Sequence, residues 1–253
     1  MKLPLSVAII TYNEEENIAR TLKAIEDIAS EIIILDSYSD DKTVEIAKSF
    51  QAKIYQEEWK GFKEQKNSLL RKCSQEWILF LDADEVVSKE LKEEIIKAIK
   101  NPKADGYSIN RKTYYAGKFL NHIWQPDYVL RLVKKSANPR WEGGDIHEYL
   151  RIDGKVSKLK GYLYHYTYKD IYEHFQKSIK YAKLSAEDYY RRGKKFHLYN
   201  LIINPFWAFS KQYFINLGFL DGIRGLAVAV SYFCNAFLKY LFLWELEQEK
   251  KKK

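Results

Sequence analysis

Short apolar runs recur at regular intervals through the first hundred residues. Three of them have the length and continuous apolar character of strands buried on both faces of a parallel sheet: residues 7–10, 32–35 and 77–81. A weaker run at 53–55 predicts a further strand. Polar residues follow each of these runs, which indicates that the strands end in loops.

Segments of helical period separate the predicted strands. Apolar residues recur every three or four positions over about 14–28, 62–73 and 88–99. Ser88 is the expected N-cap of the last segment, and Asp40 or Asp41 is the expected cap of a shorter helix. Strands that alternate with helices predict an α/β fold with a doubly wound, mostly parallel sheet and right-handed crossovers.

The pattern changes twice beyond residue 100. Residues 104–166 hold short, Tyr-rich strands with basic residues between them, which predicts an antiparallel extension of the sheet. The rest is helical in pattern, over about 171–191, 205–217 and 221–246. The chain is therefore expected to consist of these parts: a sheet domain over 1–168 with halves 1–100 and 101–168, a helical region over 169–247, and a basic tail over 248–253.

Charge and aromatic content divide the chain in a similar way. The 253 residues include 42 Lys and Arg against 34 Asp and Glu, so the net charge is +8. Residues 1–100 carry 15 basic and 20 acidic side chains, whereas residues 101–253 carry 27 and 14. A hydrophobic content of 46% excludes disorder for the bulk of the chain, and two cysteines are too few for a disulfide framework or a structural zinc site.

The strongest chemical signal is Asp82-Ala83-Asp84, which directly follows a predicted buried strand. Two carboxylates one residue apart at a strand tip can hold a Mg²⁺ or Mn²⁺ ion that also binds a diphosphate. The alternative is a solvated acidic turn before the helix that Ser88 begins. The other strand ends favour the first interpretation.

Polar residues also end the first two predicted strands. Thr11, Asn13 and Glu14 follow the first strand, and Asp36 ends the second. Ligands of open parallel sheets bind beyond the carboxyl ends of the strands, where a carboxylate can accept a hydrogen bond from a base or a ribose. Each acidic turn could by itself be structural, but the three together predict a nucleotide site.

Several of these segments resemble one enzyme family. The segments 6–15, 34–43 and 81–85, with Gln65-Lys66-Asn67, resemble glycosyltransferase family 2, whose inverting enzymes have the GT-A fold. Leu130-Arg131-Leu132, the segment 141–148 and His165-Tyr166 resemble a narrower branch, the lipopolysaccharide core β-1,4-glucosyltransferases of the WaaE/KdtX type. The resemblance implies a UDP-sugar donor, Mg²⁺ or Mn²⁺ as cofactor, and a lipid-linked saccharide acceptor.

The resemblance also implies roles for individual residues. Those implied to contact the nucleotide-sugar are Thr11, Tyr12, Asn13, Glu14, Asp36, Lys66, Asp82 and Ala83. Those implied as metal ligands are Asp84, Asp82 and His147. Within these sets Asp36 is expected to face the uracil, and Lys66 replaces a commoner Arg, which argues against a bidentate grip on the nucleotide.

An inverting transfer needs a carboxylate that deprotonates the acceptor hydroxyl as this hydroxyl attacks the anomeric carbon. Three carboxylates compete for that role: Glu142, Asp145 and Glu148. We favour Glu148 because of the His-Glu resemblance, with Asp145 second. The neighbouring His147 and the more distant His165 could each complete a metal shell or contact the diphosphate, or be ordinary hydrogen-bonded histidines.

The helical C-terminal region is rich in aromatic and aliphatic side chains flanked by Lys and Arg. This composition is typical of helices that lie in a membrane interface. The uncharged stretch 225–238 has fourteen residues, fewer than the ~20 that span a bilayer. We therefore expect a peripheral, monotopic protein that binds anionic lipid at the cytoplasmic face of the inner membrane; the alternatives are a core pair of helices or a dimer interface.

Together these observations predict an inverting, metal-dependent glycosyltransferase. The resemblance implies that it transfers glucose from UDP-glucose to inner-core heptose of lipopolysaccharide. A sugar-phosphate nucleotidyltransferase would carry a Gly-rich, basic loop after the first strand, whereas residues 11–16 are acidic. A basic protein that binds membranes or nucleic acid would have no use for paired carboxylates in a crevice, and no nucleic acid partner is expected.

Overall fold

The chain forms two compact units. The computed structural model describes residues 2–144 and 148–252, so the predicted roles of Asp145 and His147 fall outside the described residues. The first unit comprises Met1–Lys112 and Pro126–Tyr166, and the second comprises Thr113–Gln125 and Thr167–Lys253. The unit of the C-terminal helices thus includes a short segment that we predicted as part of the sheet.

A mixed sheet is the centre of the first unit. The strands are β1 Leu3–Thr11, β2 Ala29–Asp36, β3 Lys53–Gln56, β4 Trp77–Asp82, β5 Glu85–Val87, β6 Gly106–Tyr115, β7 Lys118–Phe119, β8 Asp127–Lys134, β9 Arg140–Gly143, β10 Glu148–Arg151 and β11 Val156–His165. The sheet has the order β3-β2-β1-β4-β8-β6-β11-β5, and β7, a strand of the second unit, pairs with the end of β6. Strands β9 and β10 pair with each other in a separate two-stranded sheet. Strands β1 to β4 pair in parallel. Strand β8 pairs antiparallel with β4 and β6, and β11 pairs antiparallel with β5. The predicted α/β fold and its antiparallel extension are confirmed.

Four helices of the first unit follow the predicted alternation: α1 Ile18–Lys23, α2 Thr43–Ser49, α3 Phe62–Lys72 and α4 Lys89–Lys100. The hydroxyl of Ser88 accepts a hydrogen bond from the Leu91 N–H, which confirms the predicted cap of α4. The predicted cap of α2 at Asp40 or Asp41 is wrong, because the N-cap position is Lys42, which makes no side-chain capping bond. The Asp41 carboxylate, one residue before it, nevertheless accepts the Thr43 N–H.

Helix α1 is shorter than the predicted 14–28. The backbone N–H of Glu14 donates to Thr43 and that of Glu15 donates to Asp41, so both groups bind the loop after β2. These bonds satisfy the first N–H groups of the segment from outside. The chain therefore leaves β1 as a loop, and regular helix begins only at Ile18.

Apolar side chains cover both faces of the central strands. Val7 and Ile9 of β1 belong to a buried cluster that includes residues of α1 and α4. Ala8, which points to the opposite face, belongs to a cluster with residues of α3 and of the β9-β10 hairpin. Because both faces are covered, the strands read as continuous apolar runs, which is why the sequence revealed them.

The second unit consists mainly of helices: α5 Ile171–Arg191, α6 Leu198–Ser210 and α7 Ile223–Lys252. A widened turn, Lys211–Ile215, follows α6, and a short 3₁₀ helix, Gly218–Asp221, precedes α7. The predicted range of α5 is correct, but the predicted start of the second helix at Pro205 is wrong. Pro205 lies buried inside α6, and the helix begins seven residues earlier in the chain, at Leu198.

Helix α7 is longer than the uncharged stretch 225–238, on which we based the expectation that the chain does not span a bilayer. Within the described residues it is the one helix long and apolar enough to cross a membrane, over Ile223–Glu249. The charged residues Arg224 and Lys239 lie within this helix and do not interrupt it. Of its apolar window, 33% is buried inside the protein.

A buried histidine joins the helices of the second unit. The Tyr115 hydroxyl lies 2.8 Å from Nδ1 of His174, and the Ser231 hydroxyl lies 3.0 Å from Nε2. Ser231 itself donates to the carbonyl oxygen of Val228. A neutral imidazole that accepts a hydrogen bond at Nδ1 and donates one at Nε2 satisfies every group in this series of hydrogen bonds. Burial lowers the pKa of His174 to about 4, which favours the neutral form.

Candidate active site

The polar ends of the three central strands lie side by side. In the sheet register Thr11 of β1 pairs with Asp36 of β2, and Ile10 pairs with Asp82 of β4. The three predicted clusters thus meet at one edge of the sheet, beyond the carboxyl ends of its parallel strands. This is the edge at which sheets of this kind bind ligands.

The loops after β1 and β2 hold each other in place. Asn13, whose backbone is left-handed with φ 53°, donates its side-chain N–H to Asp40 and accepts the Asp40 backbone N–H. The Asn13 backbone N–H donates to the Ser39 hydroxyl. Asn13 therefore shapes the loop, and the neighbouring Tyr12 ring is left 59% exposed at the edge of the sheet.

Asp36 is fully buried and acts as the centre of this loop pair. Its carboxylate accepts hydrogen bonds from the hydroxyls of Thr11 and Ser39, the backbone N–H of Ser39, and the side chain of Gln56. Four donors match the lone pairs of a carboxylate. Asp36 thus has a structural role here, and its contact with a uracil stays a prediction.

Asp82 lies between two cations. Its Oδ2 is 2.6 Å from Nη2 of Arg131, and its Oδ1 is 3.4 Å from Nζ of Lys66. Burial opposes ionisation, but the charges of Arg131 and Lys66 outweigh it and hold the pKa of Asp82 well below its usual range. The carboxylate is therefore ionised, and both of its oxygens already face positive charge.

Glu85 and Arg131 form the buried part of the same network. Nη2 of Arg131 lies 2.8 Å from Oε1 of Glu85, and Arg111 reaches the same oxygen at 3.6 Å. The other Glu85 oxygen accepts the backbone N–H of Asp82. Glu85 thereby fixes the turn that presents Asp82 and Asp84. Our sequence interpretation gave neither Glu85 nor Arg131 a role, although an Arg within an apolar strand was a usable signal.

Asp84 faces a histidine from the last strand. Its Oδ2 is 3.4 Å from Nε2 of His165, and its carbonyl oxygen accepts the backbone N–H of Tyr166. Burial lowers the pKa of His165, but the Asp84 carboxylate outweighs it and raises the pKa above the usual value. Between Asp82 and Asp84, the carbonyl oxygen of Ala83 accepts a hydrogen bond from the Thr21 hydroxyl, so Ala83 is held through its backbone.

The chemistry of these side chains decides whether a divalent metal fits. Residues 2–144 and 148–252 contain no group of three or more His, Cys, Asp or Glu side chains placed to hold one. Asp84 and His165 supply an oxygen and a nitrogen donor, whereas Asp82 is engaged by two cations. A cation that arrives with a diphosphate takes several ligands from phosphate and water oxygens. The pair Asp84 and His165 fits that case.

Three consecutive residues of α3 connect the strand ends to the β9-β10 hairpin. Gln65 donates to the Ser37 hydroxyl in the loop after β2. Lys66 lies buried with its ammonium group 4.5 Å from the centre of the Trp141 ring. Asn67 bonds both the N–H and the carbonyl of Trp141, at 2.9 and 3.0 Å. Helix α3 therefore places the hairpin against the sheet edge.

Of the competing carboxylates, the described part of the chain brings Glu148 to this centre. Its Oε1 lies 2.9 Å from Nζ of Lys66, the ammonium group that also faces Asp82. Glu142 instead pairs with Arg140 and Arg151 at 2.7 and 3.2 Å, and its side chain is about twice as exposed. Glu148 is thus the candidate base that Lys66 joins to Asp82.

A narrow recess beside this centre is lined by Lys66, Asp82, Arg131 and Trp141 among others. Within the described residues, Nε of Arg131 and Nε1 of Trp141 are buried donors without a hydrogen-bond partner. Unpaired buried donors are costly and usually indicate a bound water or a ligand oxygen. Both unpaired donors belong to residues that line the recess.

Comparisons with known proteins find relatives in sequence and in fold. The sequence model of the family described as Glycosyl transferase family 2 matches residues 6–151. The chain is 31% identical over 251 residues to the lipopolysaccharide core biosynthesis glycosyltransferase LpsC of Rhizobium meliloti (strain 1021), covering 94% of this chain and 90% of LpsC.

Two solved structures share the fold. The mannosyltransferase PcManGT from Pyrobaculum calidifontis, in complex with GDP-Man and Mn²⁺, superposes with a TM-score of 0.53 and 14% identity over 100% of this chain and 89% of its own. S. aureus TarS 1-349 in complex with UDP-GlcNAc superposes with a TM-score of 0.50 and 15% identity, covering 98% and 92%.

Proposed function

The chain belongs to glycosyltransferase family 2, and from this premise we propose that it transfers glucose from UDP-glucose to a saccharide on a lipid carrier, with inversion. The proposed acceptor is inner-core heptose of lipopolysaccharide. The similarity to LpsC over nearly the whole chain supports a lipopolysaccharide acceptor. The UDP-sugar in the TarS complex supports the donor class.

One contact carries the proposal. The ammonium group of Lys66 bridges Asp82, at the donor strand end, and Glu148, on the acceptor-side hairpin. A glycosyl transfer needs the departing diphosphate and the attacking hydroxyl at neighbouring positions on opposite sides of one carbon. A cation shared by two carboxylates joins the two halves of such a site.

The donor is proposed to lie along the strand ends. The exposed ring of Tyr12 can stack on the uracil, beside the loop shaped by Asn13 and Glu14. Asp36 holds this loop in place, because its carboxylate accepts hydrogen bonds from Thr11 and Ser39. The ribose and diphosphate then reach Asp82, Ala83 and Asp84. Arg131 and Trp141 line the recess beside this centre, and each holds an unpaired buried donor that suits a phosphate or sugar oxygen.

A divalent cation is proposed as cofactor, either Mg²⁺ or Mn²⁺. Asp84 and His165 would hold it, and His147 remains a proposed additional ligand that lies outside the described residues. The Mn²⁺ in the PcManGT complex supports this cofactor class. Such an ion neutralises charge that builds up on a diphosphate leaving group.

Glu148 is proposed as the general base. Its carboxylate takes the proton of the acceptor hydroxyl as the hydroxyl oxygen bonds to the anomeric carbon. The bond from that carbon to the diphosphate oxygen breaks on the opposite face, so the configuration inverts and UDP leaves with the electron pair. Lys66 orients Glu148, because its ammonium group lies 2.9 Å from the carboxylate oxygen.

The acceptor places the reaction at a membrane. We propose that the enzyme works as a peripheral, monotopic protein at the cytoplasmic face of the inner membrane, with helices of the second unit in contact with anionic lipid. The apolar, partly exposed C-terminal helices support this location. No step of the transfer itself requires a nucleic acid.

The deciding experiment offers radiolabelled UDP-sugars one at a time to the purified protein with Gram-negative membranes and Mg²⁺ or Mn²⁺. We expect label in lipopolysaccharide from UDP-glucose, and loss of transfer with EDTA. Asp84→Asn should abolish the transfer, and Asp27→Asn, a surface change in the same unit, should not. Turnover with no UDP-sugar under any of these conditions would contradict the proposed function.

A further inference from the structure

One face of α6 presents apolar side chains to the outside of the molecule. Six of them recur with helical period and are each more than half exposed: Leu198, Tyr199, Ile202, Ile203, Phe206 and Trp207. We call these six residues the α6 stripe. A single exposed apolar residue is ordinary, whereas a contiguous patch of this kind marks a contact with another apolar surface.

The patch continues beyond the helix. The widened turn, the 3₁₀ helix and the first residue of α7 add further exposed apolar side chains: Phe214, Ile215, Leu217, Phe219, Leu220 and Ile223. The exposed apolar surface therefore follows the chain for more than two dozen residues.

The opposite side of α6 is occupied within its own unit. Leu201 packs into a cluster with Tyr240 and Leu243 of α7, and Pro205 is buried. The backbone N–H of Phe196, just before α6, donates to Glu247 near the end of α7. These contacts settle the rotation of α6 about its axis, and they leave the α6 stripe facing outward.

The charge distribution around the stripe is one-sided. Residues 196–210 include no Asp, Glu, Lys or Arg. Four exposed basic side chains precede this segment, namely Arg191, Arg192, Lys194 and Lys195, and the exposed Lys211 follows it. An apolar stripe with aromatic residues and basic flanks matches the interface of an anionic bilayer. A second copy of this chain would instead bring the same positive charges to the contact.

Helix α7 is long enough to span a membrane, but its contacts argue against that arrangement. Ser231 bonds the buried His174, and the side chain of Asn235 donates to the carbonyl oxygen of Ser178. Both bonds tie α7 to α5, whose surface carries ion pairs such as Lys177 with Glu173. A spanning α7 would carry this charged helix into the hydrocarbon core, which is unfavourable.

We propose that the α6 stripe and the turn after it insert into the interface of an anionic membrane, with α6 parallel to the membrane surface and α7 outside the bilayer. This assignment deepens the proposed membrane location of the enzyme and rests on it. The basic residues before α6 meet the lipid headgroups, and Trp207 lies at the level where headgroups and acyl chains meet.

The first test measures binding of the full chain to vesicles of phosphatidylethanolamine with phosphatidylglycerol. We expect Ile203→Asp and Phe206→Asp each to weaken vesicle binding roughly tenfold or more, because a carboxylate then replaces an apolar side chain that inserts into the bilayer. Ile179→Asp is the matched control, since Ile179 is an exposed apolar residue of α5 outside the stripe. Equal losses in the stripe variants and the control would overturn the assignment.

The second test separates lipid charge from apolar contact. The double change Lys194→Glu and Lys195→Glu should weaken binding to the anionic vesicles roughly tenfold, and it should leave the weak binding to phosphatidylcholine vesicles unchanged. The matched control is the double change Lys180→Glu and Lys183→Glu on α5, which alters net charge by the same amount. Identical losses in both double variants would mean that net charge alone drives binding.

Depth and occupancy are read directly. Lipids brominated in the acyl chain near the headgroup should quench part of the tryptophan fluorescence, and Trp207→Phe should remove that part. If sedimentation shows a dimer that hides the stripe and ignores vesicles, the partner is a second copy and the proposal is wrong. Thermal unfolding and UDP binding of every variant establish that the fold and the nucleotide site are intact.

These measurements are independent of the transferase assignment. Absence of UDP-glucose turnover in the unchanged protein, together with stripe-dependent vesicle binding, would contradict the proposed function and leave the membrane surface standing. Normal turnover, together with vesicle binding that is unchanged in the stripe variants, would support the proposed function and contradict the membrane surface.

Discussion

The two units bury polar side chains in opposite ways. In the first unit Arg131 lies between Asp82 and Glu85, so the buried groups are charged and satisfied by opposite charge. In the second unit His174 lies between the hydroxyls of Tyr115 and Ser231, and its neutral form satisfies all partners. Both arrangements are largely buried, but the charged one lies at the carboxyl end of a parallel strand, β4.

The difference teaches what each cluster is suited to do. Charged side chains that already face each other can exchange partners when a charged ligand arrives, as Lys66 could between Asp82, Glu148 and a diphosphate. A neutral hydrogen-bonded chain has no such exchange to offer and serves to join helices. We therefore expect substitutions in the first cluster to affect catalysis or cost much stability, and those in the second to show in the pH dependence of folding.

The largest effect is expected at Glu148. Glu148→Gln removes the proposed base and should lower kcat by about 10²–10⁴-fold, while UDP affinity stays near that of the unchanged protein. Glu142→Gln is the matched control, because Glu142 pairs with two surface arginines instead of Lys66. Steady-state transfer assays with isothermal titration of UDP measure both quantities. Near-normal turnover of Glu148→Gln would exclude it as the base.

A large loss of stability is expected at Arg131. Arg131→Met leaves the buried Glu85 and the partly exposed Asp82 without their shared cation and should cost about 3 kcal/mol in the free energy of unfolding. Urea unfolding monitored by circular dichroism measures it. Arg140→Met, which removes an exposed arginine from its pairs with Glu142 and Asp153, should leave the midpoint nearly unchanged. Similar midpoints for the two variants would show that the buried network is dispensable.

A smaller, pH-dependent effect is expected at His174. Its folded-state pKa of about 4 lies below the usual 6.5, so the unfolded chain binds more protons between these values. Stability should therefore be lost as pH falls from about 6.5 to about 4, by up to about 3 kcal/mol, and should not change through this group above that range. The charge of nearby Lys177 acts in the same direction as burial.

Urea unfolding across this pH range tests the effect, and His174→Gln should flatten the dependence of the unfolding free energy on pH. An unchanged pH dependence in His174→Gln would contradict a neutral buried histidine.

The charged cluster around Glu31 in the first unit provides the contrast. Burial opposes ionisation there, but hydrogen bonds from Ser6, Ser74 and Lys53 lower the pKa of Glu31 to about 2. The contribution of Glu31 to folding stability is thus present above the usual pKa of 4.5, and it is lost only as pH falls from there towards 2.

The smallest effect concerns the nucleotide. Tyr12→Ala should weaken UDP binding roughly tenfold, since an aromatic ring stacked on a base contributes about 1–3 kcal/mol. Tyr172→Ala, which removes another exposed tyrosine in the second unit, should leave UDP binding unchanged. Isothermal titration measures both. Equal affinities for the two variants would place the uracil away from Tyr12.

Much of the first unit was predictable, although α1 is shorter than predicted, and a further error lies in the second unit. The central strands and the Ser88 cap are correct because a doubly covered strand and a capped helix leave local patterns. The predicted start at Pro205 is wrong because the preceding turns of α6 are stabilised by packing of Leu201 on α7, which a local helix rule does not contain. Propensity gives way to tertiary packing in such cases.

By itself the sequence determined the α/β alternation and the polar strand ends, because apolar runs and the residues that end them are local properties. Only the tertiary structure decided which of these groups meet. Lys66 and Glu148 are 82 residues apart in the chain, and the pairing of β4 with β8 brings Arg131 to Asp82. Ion pairs between distant residues depend on sheet order and helix packing, and periodicity carries no information about them.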